Sequence, residues 1–183
     1  MPPIFRWDSP LPYLAPEVGL SLHLLQESDV DSIMSWVNSP ECVKNLQHFD
    51  KTFTREDELN YVRKMITSKN DSVFSIFLNG NYIGQCGIHN ISWENRLGRI
   101  SIVIKPEHWN HGHAHEVLKA LVQIGFKMGL HKIWLMHWKE NEKASHLYVS
   151  LGFIPEGILK DEYFWQGKYH DMVRMAIINP NDA

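Results

Sequence analysis

The sequence predicts an α/β (α+β) protein in which a mixed sheet carries helices on both faces. Three observations carry that expectation. Residues 72–78 and 98–105 alternate apolar and polar positions, with Phe74, Ile76 and Leu78 on one face of the first and Ile100, Ile102 and Ile104 on one face of the second. That is the period of a half-buried strand. Residues 114–128 instead place Ala114, Val117, Leu118, Leu121, Gly125 and Met128 on one helical face. Residues 98–138 then read strand, loop, helix, strand, a crossover unit expected to be right-handed.

The elements follow in order. Residues 1–19 hold Pro2, Pro3, Pro10, Pro12 and Pro16, which exclude a helix or central strand and leave a proline-rich N-terminal arm. Residues 20–26 suit a short strand. Ser28 or Asp29 caps a helix with Val30, Ile33, Met34 and Val37 on its apolar stripe, and Ser39-Pro40 stops it. Thr54, with Asp57 three residues on, opens a second helix to about Ser68. Asn79-Gly80 is a two-residue hairpin signal joining 72–78 to a returning strand at 82–89. Residues 93–97 form a polar turn before the strand at 98–105, which Pro106 ends. A loop at 109–112 leads into the long helix, and Gly129 closes it. Residues 132–138 read as a strand and 141–151 as a short helix, with Ala144, Leu147, Tyr148 and Leu151 inward and Gly152 beyond its end. Two further strands, 153–164 and 169–178, meet near Gln166-Gly167.

At 183 residues the chain is one domain by expectation, with no internal repeat or linker. Its net charge of −3, with Lys and Arg scattered, leaves no basic stripe for nucleic acid and no patch for an anionic membrane. No stretch approaches the ~18 apolar residues of a membrane span, and the N-terminus lacks the basic start and apolar run of a signal peptide. Two cysteines, Cys42 and Cys86, do not make a disulfide framework. The expected location is the cytoplasm.

Two segments carry chemistry. The first, residues 105–116 (KPEHWNHGHAHE), turns from a strand through a tight loop into a helix. Backbone N–H groups at such a helix start lack intrahelical acceptors, and with the helix dipole they form a phosphate site. The second, residues 141–153, reads N-x-x-A-x-x-L-Y-x-x-x-G-F. Together they resemble the GNAT superfamily of N-acetyltransferases. The tail, residues 157–162, 167–171 and 174–175, is similar to the branch holding spermidine and ribosomal-protein N-terminal acetyltransferases.

That resemblance implies a GNAT-like fold over residues 20–183, with a mostly antiparallel sheet and a splayed coenzyme A cleft, and acetyl-CoA as cosubstrate. The family loop Q/R-x-x-G-x-G/A is matched by Trp109, Gly112 and Ala114. Trp109 replaces the usual Gln or Arg, and Asn110 stands where Gly is frequent, so fewer side chains would reach the pyrophosphate. The implied cofactor-binding residues are Trp109, Asn110, His111, Gly112, His113, Ala114 and His115 in the loop, backbone groups of Ile102, Val103 and Ile104 along the strand, and Asn141 and Ala144 at the short helix. Asn141 is equally a helix N-cap.

Tyr148 matches the family tyrosine that protonates the departing thiolate, although its place on the apolar stripe also suits a core residue. A base or water relay must deliver the amine neutral, because an alkyl ammonium titrates near ~10. Glu94 and His89 are the catalytic candidates, each equally readable as an ordinary turn or strand-end residue. Glu27 and Asp29 are weaker candidates for holding a cationic acceptor. His111 and His115 have a zinc-ligand spacing, yet they sit where the pyrophosphate belongs, and no metal is expected. The aromatics Trp93, Trp134, Trp138, Tyr163, Phe164 and Trp165 either line an acceptor pocket or pack in a core or dimer.

The acceptor expected is a small amine, such as a polyamine or an amino sugar, or a peptide N-terminus. A homodimer is open, and the N-terminal arm could close the acceptor cleft or mediate it. The competing reading is a catalytically silent acyl-CoA sensor of the same fold, favoured by Trp109 and Asn110 and opposed by Tyr148 and Asn141.

Overall fold

A computed structural model describes residues 19–42 and 51–182. The proline-rich arm expected over residues 1–19 therefore lies, up to residue 18, outside the described residues. Strand β1 (Leu20–Leu24) leads through a 3-10 turn (Glu27–Asp29) into α1 (Val30–Met34), and α2 spans Arg55–Thr67. Next come β2 (Ser72–Leu78), β3 (Asn81–Ser92), β4 (Leu97–Ile104), α3 (His113–Lys127), β5 (Lys132–Trp138), α4 (Glu142–Ser150), β6 (Ile154–Trp165) and β7 (Lys168–Ile178). The expected elements follow in the expected order, with residues 40–42 helical again after the turn and a 3-10 turn at Pro106–His108 in addition. The first helix is shorter than its apolar stripe, because residues 35–38 leave it as turns. The third strand runs on to Ser92.

Among the described residues the seven strands form one sheet, in the order β1-β2-β3-β4-β5-β7-β6. Neighbours are antiparallel except β4 and β5, which are parallel. The hairpins turn where the sequence places them. Asn79 and Gly80 have φ of 50° and 80°, and Gln166 and Gly167 have 50° and 79°, the paired left-handed residues of a type I′ turn.

Two cores hold the layers together. On one face α3 packs Val117, Leu118, Leu121 and Ile124 against Ile88, Ile100, Ile133 and Leu135, with Leu147 and Tyr148 of α4 and Leu151 just after it at the margin. Gly125 lets α3 sit close, since a Cβ there would stand 2.6 Å from Ile133 Cδ1. On the other face Val30 and Ile33 of α1, Trp36 in the turn after it and Val62 of α2 are buried with Val73.

The start of α2 shows local sequence deciding local structure. Thr54 Oγ1 accepts the Asp57 N–H at 3.1 Å, and Asp57 Oδ2 accepts the Thr54 N–H at 2.9 Å. Those bonds, with Lys51 beside the carboxylate, hold the Asp57 carboxyl down to about 2. Thr54→Ala should cost about 1 kcal/mol of stability in urea unfolding at pH 7. Asp57 titrates lower in the folded chain than in the unfolded one, so its contribution is present above its ordinary value of 3.8 and lost as pH falls towards about 2. The gap between variant and wild type should narrow over that interval.

Candidate active site

The parallel pair β4–β5 holds only at Leu97↔Lys132, Gly98↔Ile133 and Arg99↔Trp134. Beyond Arg99 the strands part, while β4 stays paired to β3 up to Gly84↔Ile104. In an antiparallel ladder alternate residues send both backbone groups to the same neighbour. The bond from Lys105 N–H to Ile83 O sets the phase. Val103 therefore bonds towards β3, and Ile102 and Ile104 turn their backbone groups to the gap. Of the three residues expected to offer backbone groups, the ladder phase turns Ile102 and Ile104 to the gap and Val103 to β3; all three line the cleft.

The gap opens into a cavity of about 380 Å³. Its wall includes Ile102, Val103 and Ile104 of β4, Trp109, Asn110, Gly112, His113, Ala114 and His115 of the loop and α3, and Asn141, Ala144 and Tyr148. Segments nearly fifty residues apart in sequence thus meet around one space. Of the expected cofactor-binding residues only His111 is outside the wall; its ring lies 5.8 Å from that of His113.

The loop curls because two residues adopt left-handed backbone, Asn110 (φ 62°) and Gly112 (φ 81°). A Cβ at Gly112 would meet nothing within 4 Å, so backbone conformation rather than crowding calls for glycine there. Gly112 caps α3 without a side-chain bond, which leaves the first N–H groups of a 15-residue helix facing the cavity end. Trp109 has its own task. Its indole N–H donates to the Ile104 carbonyl at 2.6 Å, tying the loop to the end of β4 where a Gln or Arg would instead extend. His113 is pushed below its ordinary pKa by burial and by His111 and His108, so it remains an uncharged donor or acceptor near neutrality. Among the described residues no group of three or more His, Cys, Asp or Glu side chains has metal-site geometry.

At the opposite wall Asn141 Oδ1 accepts the Ala144 N–H at 3.1 Å. The cap reading therefore holds, and the amide nitrogen is left to the cavity. Tyr148 is half-buried, its ring 5.7 Å from His137 and 6.0 Å from Phe153. No described residue hydrogen-bonds its hydroxyl, and burial pushes its pKa up to about 12. His137 went unnoticed in the sequence, where it is one position of an apolar strand. Its Nδ1–H donates to the Trp138 carbonyl at 2.8 Å, and its Nε2 is buried without a partner. Burial lowers its pKa, so the ring is neutral beside Tyr148. Both cysteines are buried thiols pushed up in pKa by burial, which makes neither a primed nucleophile.

The two candidate bases are not in the cavity wall. Glu94 is exposed in the turn before β4, at the end where β4 and β5 are still paired. Five residues of strand separate Leu97 from Ile102, roughly 17 Å, so Glu94 is not brought to the cleft. His89 is partly buried on β3 and hydrogen-bonded on both ring nitrogens, to Asp71 and Ser101. Glu27 is paired to Arg63, and Asp29 accepts from Ser75 and from the Gln26 N–H. The aromatics divide. Trp138, Tyr163, Trp165 and His170 stack as one cluster at the cavity edge, whereas Phe164 is exposed against Tyr169. Trp134 lies between the guanidinium groups of Arg99 and Arg174. Trp93 donates its indole N–H to the Lys69 carbonyl.

Comparison with known proteins gives a consistent picture. Residues 20–154 match the model of the acetyltransferase (GNAT) domain family. The chain is similar to the spermidine N(1)-acetyltransferase of Vibrio cholerae serotype O1, at 38% identity over 99 residues, 54% of this chain and 57% of that protein. It is also similar to the spermidine N(1)-acetyltransferase of Escherichia coli K12, at 35% over 115 residues, 62% of each. These sequence matches thus span less than two thirds of either relative. In structure it resembles the Vibrio cholerae spermidine N-acetyltransferase solved with CoA and spermine: TM-score 0.83, 29% identity, 87% of this chain and 95% of that one.

Proposed function

We propose, since this chain belongs to the GNAT acetyltransferase family, that it transfers an acetyl group from acetyl-CoA directly to a primary amine, a polyamine first among the candidates. The observation that carries the reading is the fork between β4 and β5, which ends at one side in a helix N-terminus and at the other in a tyrosine hydroxyl without a partner.

The residues present fit the cosubstrate. A pantetheine arm carries amides, and the gap-side backbone groups of Ile102 and the Ile104 N–H can pair with them as a neighbouring strand would, the Ile104 carbonyl being taken by Trp109. The N–H groups at the start of α3 suit the pyrophosphate. The cosubstrate brings an acetyl thioester, whose carbonyl is open to attack by an amine. A backbone N–H on the gap side of β4 would polarise that carbonyl. Tyr148, neutral at any working pH, would hold its O–H towards the sulfur as charge develops there. No covalent acyl-enzyme is needed, which agrees with two buried, unactivated thiols. The polyamine preference rests on the named relatives.

Purified protein should be mixed with acetyl-CoA and a panel of spermidine, spermine, aminoglycosides, UDP-amino sugars and short peptides with free N-termini. Acceptor-dependent thiol release is the expected result, fastest with a polyamine. Release only with peptides would move the acceptor class. Tight acetyl-CoA binding by calorimetry without any turnover would overturn the enzymatic reading.

A further inference from the structure

We propose, resting on the acetyl-transfer reading above, that Ser101, His89 and Asp71 form a proton relay that takes the proton from the acceptor amine as it attacks the thioester. His89 Nε2 lies 2.9 Å from Ser101 Oγ, and His89 Nδ1 lies 3.2 Å from Asp71 Oδ1. Asp71 is itself fixed, accepting the Asn90 N–H on Oδ1 and the Ser68 hydroxyl on Oδ2. The carboxylate therefore keeps a proton on Nδ1, which leaves Nε2 to accept from the serine O–H. His89 and Asp71 side chains are only 19% and 17% exposed. This order of carboxylate, imidazole and hydroxyl is the one that activates an oxygen in hydrolytic triads.

The backbone makes room for it. Gly87 is the register partner of Ser101, and the His89 ring lies over it. A Cβ at Gly87 would stand 2.8 Å from His89 Nε2 and 3.0 Å from the Ser72 carbonyl. Any other residue there pushes the ring off the serine.

The place on the sheet is equally specific. Ser101 shares its face of β4 with Arg99, in the last β4–β5 pair, and with Val103, in the cavity wall. It stands where the fork begins to open, next to the Ile102 backbone that faces the gap. The face is the one covered by α1 and α2, opposite the one that carries α3. Ser101 itself is not in the cavity wall, so the relay requires the amine to approach the fork from the side of α1 and α2.

The charged groups facing His89 are Asp71 and Arg99. Burial, with Arg99 acting in the same direction, outweighs Asp71 and puts the ring below its ordinary 6.5. The imidazole is then neutral at pH 7 and able to accept. It is a poor base for a free ammonium near ~10, by more than three powers of ten. It suits the adduct, whose nitrogen becomes acidic as the C–N bond forms. In that step the amine lone pair forms the C–N bond, and the nitrogen gives one proton to Ser101 Oγ while the serine proton moves to His89 Nε2. The C–S bond then breaks, its electron pair leaving on sulfur, and the imidazolium returns its proton to solvent. Ser101 is the group that touches substrate; His89 and Asp71 act through it.

The test measures kcat between pH 5 and 9 at saturating acetyl-CoA, with the acceptor the wild type turns over fastest in the panel. The wild type should lose rate below about 6.5. Ser101→Ala and His89→Gln should each lower kcat on the order of 10²-fold and abolish that acid fall, with CoA affinity by calorimetry unchanged. Gly87→Ala should do the same by displacing the ring, and Asp71→Asn should show a smaller loss. Turnover that survives Ser101→Ala and His89→Gln with the acid fall intact overturns the relay and leaves the acetyltransferase reading standing. So does loss of CoA binding in step with turnover, which would make the trio structural, or an acetyl group found on Ser101 by mass spectrometry, which would make it a nucleophile. A wild type that binds CoA and acetylates nothing overturns the underlying reading and the relay with it.

Discussion

Tyr148→Phe is expected to lower kcat for acetyl transfer by about 10²- to 10⁴-fold while leaving the Kd for CoA nearly unchanged. The substitution removes one oxygen and keeps the ring, so the contacts with His137 and Phe153 survive. The hydroxyl makes no bond to any described residue, so the fold loses none with it. Burial, which pushes its pKa up to about 12, keeps it protonated near neutral pH. Against a thiol near ~8.5, complete proton transfer from a phenol so raised is uphill. Its contribution is then a hydrogen bond to developing thiolate, strong because the cleft is partly desolvated. An interaction made only as the C–S bond breaks lowers kcat and kcat/KM together. Two measurements check this. Thiol release under saturation gives the loss, and acetyl thioesters of more acidic thiols should shrink it, because such thiolates need less help. A variant with wild-type kcat would assign Tyr148 to packing alone.

Gly84→Ala is expected to damage stability and cosubstrate binding together. Gly84 faces Ile104 across the β3–β4 ladder. A Cβ there would lie 2.1 Å from the Val103 carbonyl oxygen and 2.9 Å from Ile104 Cα. Both are backbone atoms, so no rotamer change relieves the clash and β4 itself must move. The cost should be at least the ~1–3 kcal/mol of an overpacked core, read as a fall in Tm of about 2–4 °C per kcal/mol for a chain of this size. The displaced segment is the one whose Ile102 and Ile104 backbones face the gap, so CoA affinity should fall with stability. Gly112→Ala separates the two effects. It has space for a Cβ but a φ of 81°, so it should strain the loop locally and leave the sheet intact. A Gly84→Ala protein with unchanged unfolding and unchanged affinity would mean that β4 yields freely at the fork.

Much of the molecule was legible in order of appearance. Alternation placed β2 at residues 72–78 and β4 near 98–105, and the Thr54–Asp57 spacing placed the start of α2. The N-x-x-A-x-x-L-Y-x-x-x-G-F run put Asn141 at a helix cap and Tyr148 on the inward stripe. These are local matters: period, cap and turn chemistry depend on residues a few positions apart. The family followed from two motifs that are themselves short.

What tertiary structure alone decided lies between elements. A single serine in an apolar strand carries no signal, and Ser101 was not singled out. It acquires a role only because β3 lays His89 across Gly87, and because Asp71, just before β2, reaches the other ring nitrogen. Glu94 and His89 looked alike as strand-end candidates, yet the point at which β4 and β5 separate leaves Glu94 at the closed end, while His89 bonds Ser101, two residues beyond the last β4–β5 pair. The backbone of Val103 turned out to serve β3 because ladder phase is set by a bond at Lys105 rather than by side-chain alternation. His137 became a cleft residue through the packing of α4 against β5. Sequence by itself determined which face of each strand and helix is apolar, where each begins, and which family the motifs resemble. Register, the opening of the fork and the meeting of Asp71, His89 and Ser101 were decided by the packing of two cores on one sheet, because contacts between distant segments depend on the whole assembled chain.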